Sequence, residues 1–212
     1  MEAYPVPAAE IRREIVVLKS RFVATLAPVF GVDDAKAFVA RIRAAFPDAS
    51  HHVPVYLIGH GASVIAHCSD AGEPAGTAGR PALEVLRGSG LGDVAVVVTR
   101  YFGGTKLGTG GLVRAYSDAV RSVTADVPRA HRVLTHTAML GLPYSWLERA
   151  RLLVHIHHGQ VLGEDFAAEV TLTARFAVND FEPFQQALSE SSNGSLAAEI
   201  VETEAVLMPL GE

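Results

Sequence analysis

Cysteine is almost absent from this 212-residue chain: Cys68 is its one thiol. No disulfide can close within the molecule, and a reducing cytoplasm is the expected setting. Cys68 sits in an apolar stretch, where a cysteine reads as a small buried hydrophobe. No apolar run reaches the roughly 20 residues that a membrane-spanning helix needs. The opening Met-Glu-Ala-Tyr-Pro has no basic segment followed by an apolar core, so no secretory signal is expected. Solenoid repeats, low-complexity tracts and long linkers are missing too. So is a Gly-Lys-[Ser/Thr] at the place a Walker A loop requires, which argues against Mg-nucleotide cleavage of that type. His51 and His52 are neighbours on a predicted strand and face opposite ways, as do His67 and Cys68. Lone, scattered histidines seldom form a ligand set, so no metal is expected, and no cofactor. His155, His157 and His158 fall at the end of a predicted helix, where cations suit the dipole. No complete nucleophile, base and orienter can be assembled, so no catalytic residue is named.

What is present is a chain able to fold. Hydrophobic residues make up 49% and charged residues 19%, enough apolar mass for real cores, and the length suits one or two domains. The charge is divided unevenly. Residues 1–132 hold 15 Lys and Arg against 12 Asp and Glu, whereas residues 133–212 hold 3 against 11. A polyanion contact is therefore expected to be local to the first part. A boundary is expected near Val127–His131, because Pro128 cannot continue the preceding helix. This gives domains of 1–130 and 131–212.

The first domain reads as mixed α/β. Strands are predicted around Ile15–Leu18 and Phe22–Val29. A helix follows from Asp33 or Asp34 to before Pro47, with Ala35, Phe38, Val39, Ile42 and Ala45 on its apolar stripe. Val55–Gly59 and Val64–Cys68 form a predicted hairpin through Gly59-His60-Gly61. A short helix over Pro81–Arg87, a buried strand over Val94–Val98 and a helix carrying Leu112, Tyr116, Ala119, Val120 and Val123 complete it. The second domain reads β-α-β-β-α-β, the ferredoxin-like order. In it Val170, Leu172, Ala174, Phe176 and Val178 alternate with polar residues, as on a strand with one wet face. The whole is an α/β protein of the α+β kind.

Two Gly-rich elements carry the chemistry. The first is Ser69-Asp70-Ala71-Gly72-Glu73-Pro74-Ala75-Gly76-Thr77-Ala78-Gly79-Arg80-Pro81. The second runs from Thr99 through Arg100, Tyr101, Phe102, Gly103, Gly104, Thr105, Lys106, Leu107, Gly108, Thr109, Gly110 and Gly111 to Arg114. A strand, a Gly-rich loop and a helix start make an anion site, since glycines admit a close ligand and free N–H groups face it. The expected binding surface is Gly76, Thr77, Gly79, Arg80, Arg100, Tyr101, Phe102, Gly103, Gly104, Lys106, Gly108, Thr109, Gly110, Gly111 and Arg114. His52, Asp70 and Glu73 are candidate supports. The glycines alternatively make only a tight connection beneath a packed helix. One of Tyr101 and Phe102 is expected in the core, leaving the other free to stack on a base, unless both pack in the core. Asp70 is read as an acceptor of turn N–H groups, and Glu73 as a cap or an arginine partner, in preference to an acid–base pair. Arg100, at the end of a buried strand, alternatively braces the two elements through one of these acids.

These two motifs, with His51–Gly59 upstream, resemble the YigZ/IMPACT family over about His51 to Val120. Two positions depart from its usual pattern: Ala71 stands where the family has an aspartate, and Val53 where it has a cysteine. The resemblance implies a first domain like the fourth domain of elongation factor G and a second like that factor's ferredoxin-like fifth domain. Those domains meet the ribosome, and the family's eukaryotic branch modulates a translational stress-kinase pathway by binding an activator of that kinase. The implied function is a translation-linked regulatory protein that binds RNA, the ribosome, a translation-factor partner or a small anionic ligand. The alternative is a phosphate-handling enzyme using the same loop. Neither involves a membrane.

Overall fold

The computed structural model describes residues 4–209. The chain divides into two compact units, one reaching to His131 and the other running from Arg132 to Leu207.

The first unit opens with β1 (Pro5–Pro7), β2 (Ile11–Val17) and β3 (Ser20–Pro28), followed by α1 (Val32–Ala45). Then come β4 (His51–Ile58), β5 (Ile65–Cys68), α2 (Gly79–Gly88), β6 (Val94–Tyr101) and α3 (Gly108–Asp126). An antiparallel sheet is ordered β2-β3-β6-β4-β5. The central β6 is covered on both faces, which is why its apolar run is uninterrupted. Val94, Val96 and Val98 join the core beneath α2 and α3, whereas Ala95 and Val97 join that beneath α1. Each fully buried valine contributes about 1.5–3 kcal/mol of transfer free energy. The same alternation puts Arg100 on the α2/α3 face, beside Phe22 and Tyr116 rather than in water.

α1 carries Asp33 and Asp34 in its first turn and Arg43 in its last, both favourable to the helix dipole. The β2–β3 turn is less expected. Leu18 and Lys19 hold φ of 46° and 68°, the left-handed pair of a two-residue hairpin turn. Such turns ordinarily take Asn-Gly, so Leu-Lys leaves no local signal and Leu18 reads as strand.

β7 (Arg129–Leu142) starts earlier than its sequence pattern suggests. Its opening residues pair with the unforeseen β1, Pro5 opposite His131 and Pro7 opposite Arg129. Val127 and Ala130 are buried. Within the segment expected to hold the boundary, Arg129–His131 are thus paired strand, and the two units part directly after it, between His131 and Arg132. From Arg132 onward the second unit comprises the rest of β7, α4 (Leu147–Ile156), β8 (Gln160–Phe166), β9 (Val170–Ala177), α5 (Val178–Ser191) and β10 (Glu199–Pro209) as far as Leu207. β10 and β9 flank β7, and β8 pairs with β9. The order β10-β7-β9-β8 is ferredoxin-like. Leu140, Leu142, Leu172 and Phe176 pack against Ala150, Val154, Phe184 and Leu188 of the two helices. The α+β class stands for both units.

Candidate functional site

The first Gly-rich loop is organised by one carboxylate. Asp70 Oδ2 accepts the Gly76 N–H at 2.8 Å, and Oδ1 accepts those of Ala78 and Gly79 at 3.1 and 2.9 Å. It thereby caps α2 from outside the helix. Partial burial alone would raise the Asp70 pKa, but the three N–H donors outweigh it and hold the carboxyl below its usual range. A folded pKa below the unfolded one gives stability that is present above the unfolded value and lost as pH falls through the folded one. Asp70→Asn should therefore cost about 0.5–2 kcal/mol at neutral pH. It should also shrink the acid-side loss of stability in urea melts between pH 7 and 3. An unchanged pH profile would show that Asp70 does not hold the loop.

The sequence pattern points Thr77 and Gly79 at a ligand, and the geometry corrects both. The Thr77 hydroxyl donates to Pro74 O at 2.7 Å and the residue is buried. Gly79 packs on the Ser69 backbone, where a Cβ would lie 2.7 Å from the carbonyl carbon.

A buried polar cluster joins the two elements. Glu73 Oε1 receives Arg100 Nη1 at 2.5 Å and the Tyr116 hydroxyl at 2.7 Å, with His51 Nε2 at 3.9 Å. Arg100 is 5% exposed, so its expected contact with an anion gives way to its other reading, a brace through Glu73. Its Nη2 points at Ser20 Oγ, which also accepts the Gly103 N–H at 3.1 Å. Burial pushes the Tyr116 pKa up, and its bond to Glu73 adds to the rise, so it remains a donor at any ordinary pH. His51 Nδ1 lies 3.0 Å from Ala71 O, on the site's face of β4. The expected support, His52, faces the other side, 2.9 Å from Phe46 O. Tyr116 is masked in the sequence pattern because it sits on the apolar stripe of α3. The one signal for it is that a buried tyrosine hydroxyl needs a partner.

The second loop has two parts. Gly103 is structural: a Cβ there would lie 2.1 Å from the Lys19 carbonyl carbon. From Gly104 to Gly110 the chain is exposed except for half-buried Leu107, with positive φ at Gly104 and Gly108. Gly110 lies in the first turn of α3 with open space around its Cα, so a side chain there strains nothing. Lys106, Thr109 and Arg114 are exposed, as is Arg80 on α2. Eight other arginines enter salt bridges, whereas Arg80, Lys106 and Arg114 have none among the described residues. Gly76, Arg80, Val85, Val113 and Ser117 line a shallow groove of about 530 Å³ between α2 and α3. Neither aromatic of the loop enters the core. Tyr101 is half-buried, bonded to Asp48 at 3.2 Å, and Phe102 is 50% exposed, 5.6 Å from the Arg100 guanidinium.

Residues 18–124, which hold both loops and the cluster between them, match the Impact N-terminal domain. Residues 140–195 match a domain of unknown function, DUF1949. A Haemophilus influenzae IMPACT family member is 36% identical over 95% of this chain and 98% of its own. The chain belongs to the IMPACT family. The Escherichia coli member YigZ is 38% identical over 92% of this chain and 97% of its own. The crystal structure of a hypothetical protein, 36% identical, superposes with a TM-score of 0.62 over 95% of this chain and 98% of that one.

The two departures from the IMPACT pattern acquire physical meanings. Ala71 holds φ 49°, a left-handed conformation that aspartate tolerates better than alanine does. Val53 is fully buried in β4, so the family's usual cysteine falls at a packing position. Among the described residues no helix is long and apolar enough to cross a membrane. No group of three or more His, Cys, Asp or Glu is placed to hold a metal ion there.

Proposed function

We propose that this IMPACT-family protein is a translation-linked binding protein whose second Gly-rich loop receives phosphate groups of RNA, free or in the ribosome. One observation carries the reading. Arg80, Lys106 and Arg114 are exposed and unpaired around two Gly-rich elements, in a protein that pairs most of its other arginines. Thr109 and the first N–H groups of α3 supply uncharged donors beside them. Phe102 offers a half-exposed ring on which a base can stack. Family membership supports the translational setting, and the unpaired Cys68 fits a reducing cytoplasm. A phosphate-handling enzyme needs a free acid or base at this loop. Asp70 and Glu73, the carboxylates within the first Gly-rich element, are both engaged in holding the fold, and Glu84 in the groove beside Arg80 meets Arg87 at 3.6 Å.

The test is RNA binding by the whole protein across a salt series. Lys106→Ala should weaken binding to a single-stranded RNA without lowering the melting temperature. It should also flatten the slope of log K against log salt by roughly 0.7, the value for one lost phosphate contact on a single strand. If Lys106→Ala, Arg80→Ala and Arg114→Ala all leave affinity for RNA and ribosomal subunits unchanged, the loop is a structural joint only. The same reading assigns domains to residues 1–130 and 131–212. A chain ending at residue 131 should then melt cooperatively on its own.

A further inference from the structure

On the opposite face of the first unit's sheet lies a second groove, between α1 and the β4–β5 edge. Its volume is about 380 Å³, within the range of small-molecule sites. Helical spacing aligns Lys36, Val39, Ala40 and Arg43 on one stripe of α1, which lines one side. Pro54, Tyr56, His67 and Ser69 line the rest. Tyr56 and His67 are cross-strand partners, and their rings stack with centroids 4.9 Å apart and planes 22° from parallel. Tyr56 is 7% exposed and fixed in the core beneath α1, whereas His67 is exposed. The imidazole is thus a flat ring held in a set orientation on a buried base.

The polar groups around that ring suit an anion. No carboxylate lines the groove. Arg43 has no ion pair among the described residues. Lys36 meets Asp33 at 3.6 Å with both side chains largely in water, an arrangement that binds weakly. Seven helical residues place the Cα atoms of the two about 10 Å apart along α1, a span that their long side chains can close on one phosphate between them. Ser69 Oγ accepts the Ala71 N–H at 3.2 Å, which leaves its own hydrogen to donate.

We propose that this groove binds a nucleotide, with its base stacked on His67 and its phosphate met by Arg43, Lys36 and the Ser69 hydroxyl. Stacking accepts any base, so the site discriminates by the combination of an aromatic ring and a phosphate rather than by base identity. It shares Ser69 with the first Gly-rich element but none of the residues of the surface proposed above, and it does not rest on the function proposed for that surface.

The experiment is a titration of the whole protein with adenosine monophosphate, followed by NMR at the His67 ring and by calorimetry. Adenosine and inorganic phosphate are run alone as comparisons. Saturable binding of the monophosphate is expected, with each fragment binding about tenfold more weakly or worse. His67→Ala should weaken it about tenfold. Arg43→Ala should weaken it and reduce its salt dependence. Both side chains are exposed, so thermal melts of these variants should match the parent. Lys106→Ala should leave this binding unchanged. Absence of saturable binding, insensitivity to His67→Ala and Arg43→Ala, equal binding of adenosine, or loss on Lys106→Ala would each overturn the site.

Discussion

Gly103→Ala should destabilise the first unit by about 3 kcal/mol, the upper end of what forced overpacking costs. A Cβ at this position would lie 2.1 Å from the Lys19 carbonyl carbon, 2.2 Å from its oxygen and 2.4 Å from the Ser20 nitrogen. All three are backbone atoms, in a turn that already holds two left-handed residues, so no side-chain rotation can relieve the contact. The Gly103 N–H bond to Ser20 Oγ would be disturbed with it, and through Ser20 the setting of Arg100. The melting temperature should fall by roughly 6–12 °C in a chain of this size. Two neighbours calibrate the measurement. Gly104 has φ +85° and nothing within 4 Å of its missing Cβ, so Gly104→Ala should cost about 1–2 kcal/mol for conformation alone. Gly110 sits in open helix, where alanine should stabilise by about 0.5–1 kcal/mol. Equal melting temperatures for the three variants would refute this division of the glycines into packing, turn and helix roles.

Arg100→Met should be the more destructive change, at about 3–5 kcal/mol, because it leaves Glu73 charged and buried with only the Tyr116 hydroxyl bonded to it. Glu73→Gln should cost a similar amount by leaving the guanidinium without a counter-charge; Arg100 Nε already has no hydrogen-bond partner. The pair Glu73→Gln with Arg100→Met should recover much of the loss, since neither buried charge remains. Urea melts would give the coupling energy from the shift in midpoint at constant slope. Additive single effects would mean that the two residues do not act as a unit. RNA affinity per folded molecule should survive in Arg100→Met, because the guanidinium is buried and bonded to Glu73, whereas Lys106 and Arg114 are exposed.

Much of this arrangement is legible in the order of the amino acids alone. The apolar run Val94–Val98 suits only a strand covered on both sides, and the β6 core bears this out. Alternation from Val170 to Phe176 and the stripe Phe181, Phe184, Leu188 mark one-sided elements that share a core. The role of Asp70 as a turn acceptor and of Glu73 as an arginine partner also follows from residue type and position. Where the pattern falls silent, the cause is long range. The Leu18-Lys19 turn has no local signature. β1 is three residues long and gains its definition only from pairing with β7, more than a hundred residues away. Tyr116 and Leu112 look alike in a helical pattern, and only the position of Glu73 on a separate loop distinguishes a bonded hydroxyl from plain packing.

The sequence by itself determined the α+β plan in two parts, the placing of two Gly-rich loops before helices, and the supply of cations around them. Periodicity and glycine chemistry act within a few residues and survive without tertiary context. Tertiary structure alone decided which of those groups face solvent. Gly103 and Gly79 are glycines because another backbone crosses them, Arg100 is buried because a carboxylate from residue 73 reaches it, and His51 rather than His52 meets the loop because of how β4 pairs in the sheet. Each of these is settled by a partner distant in sequence, and local pattern carries no record of such partners.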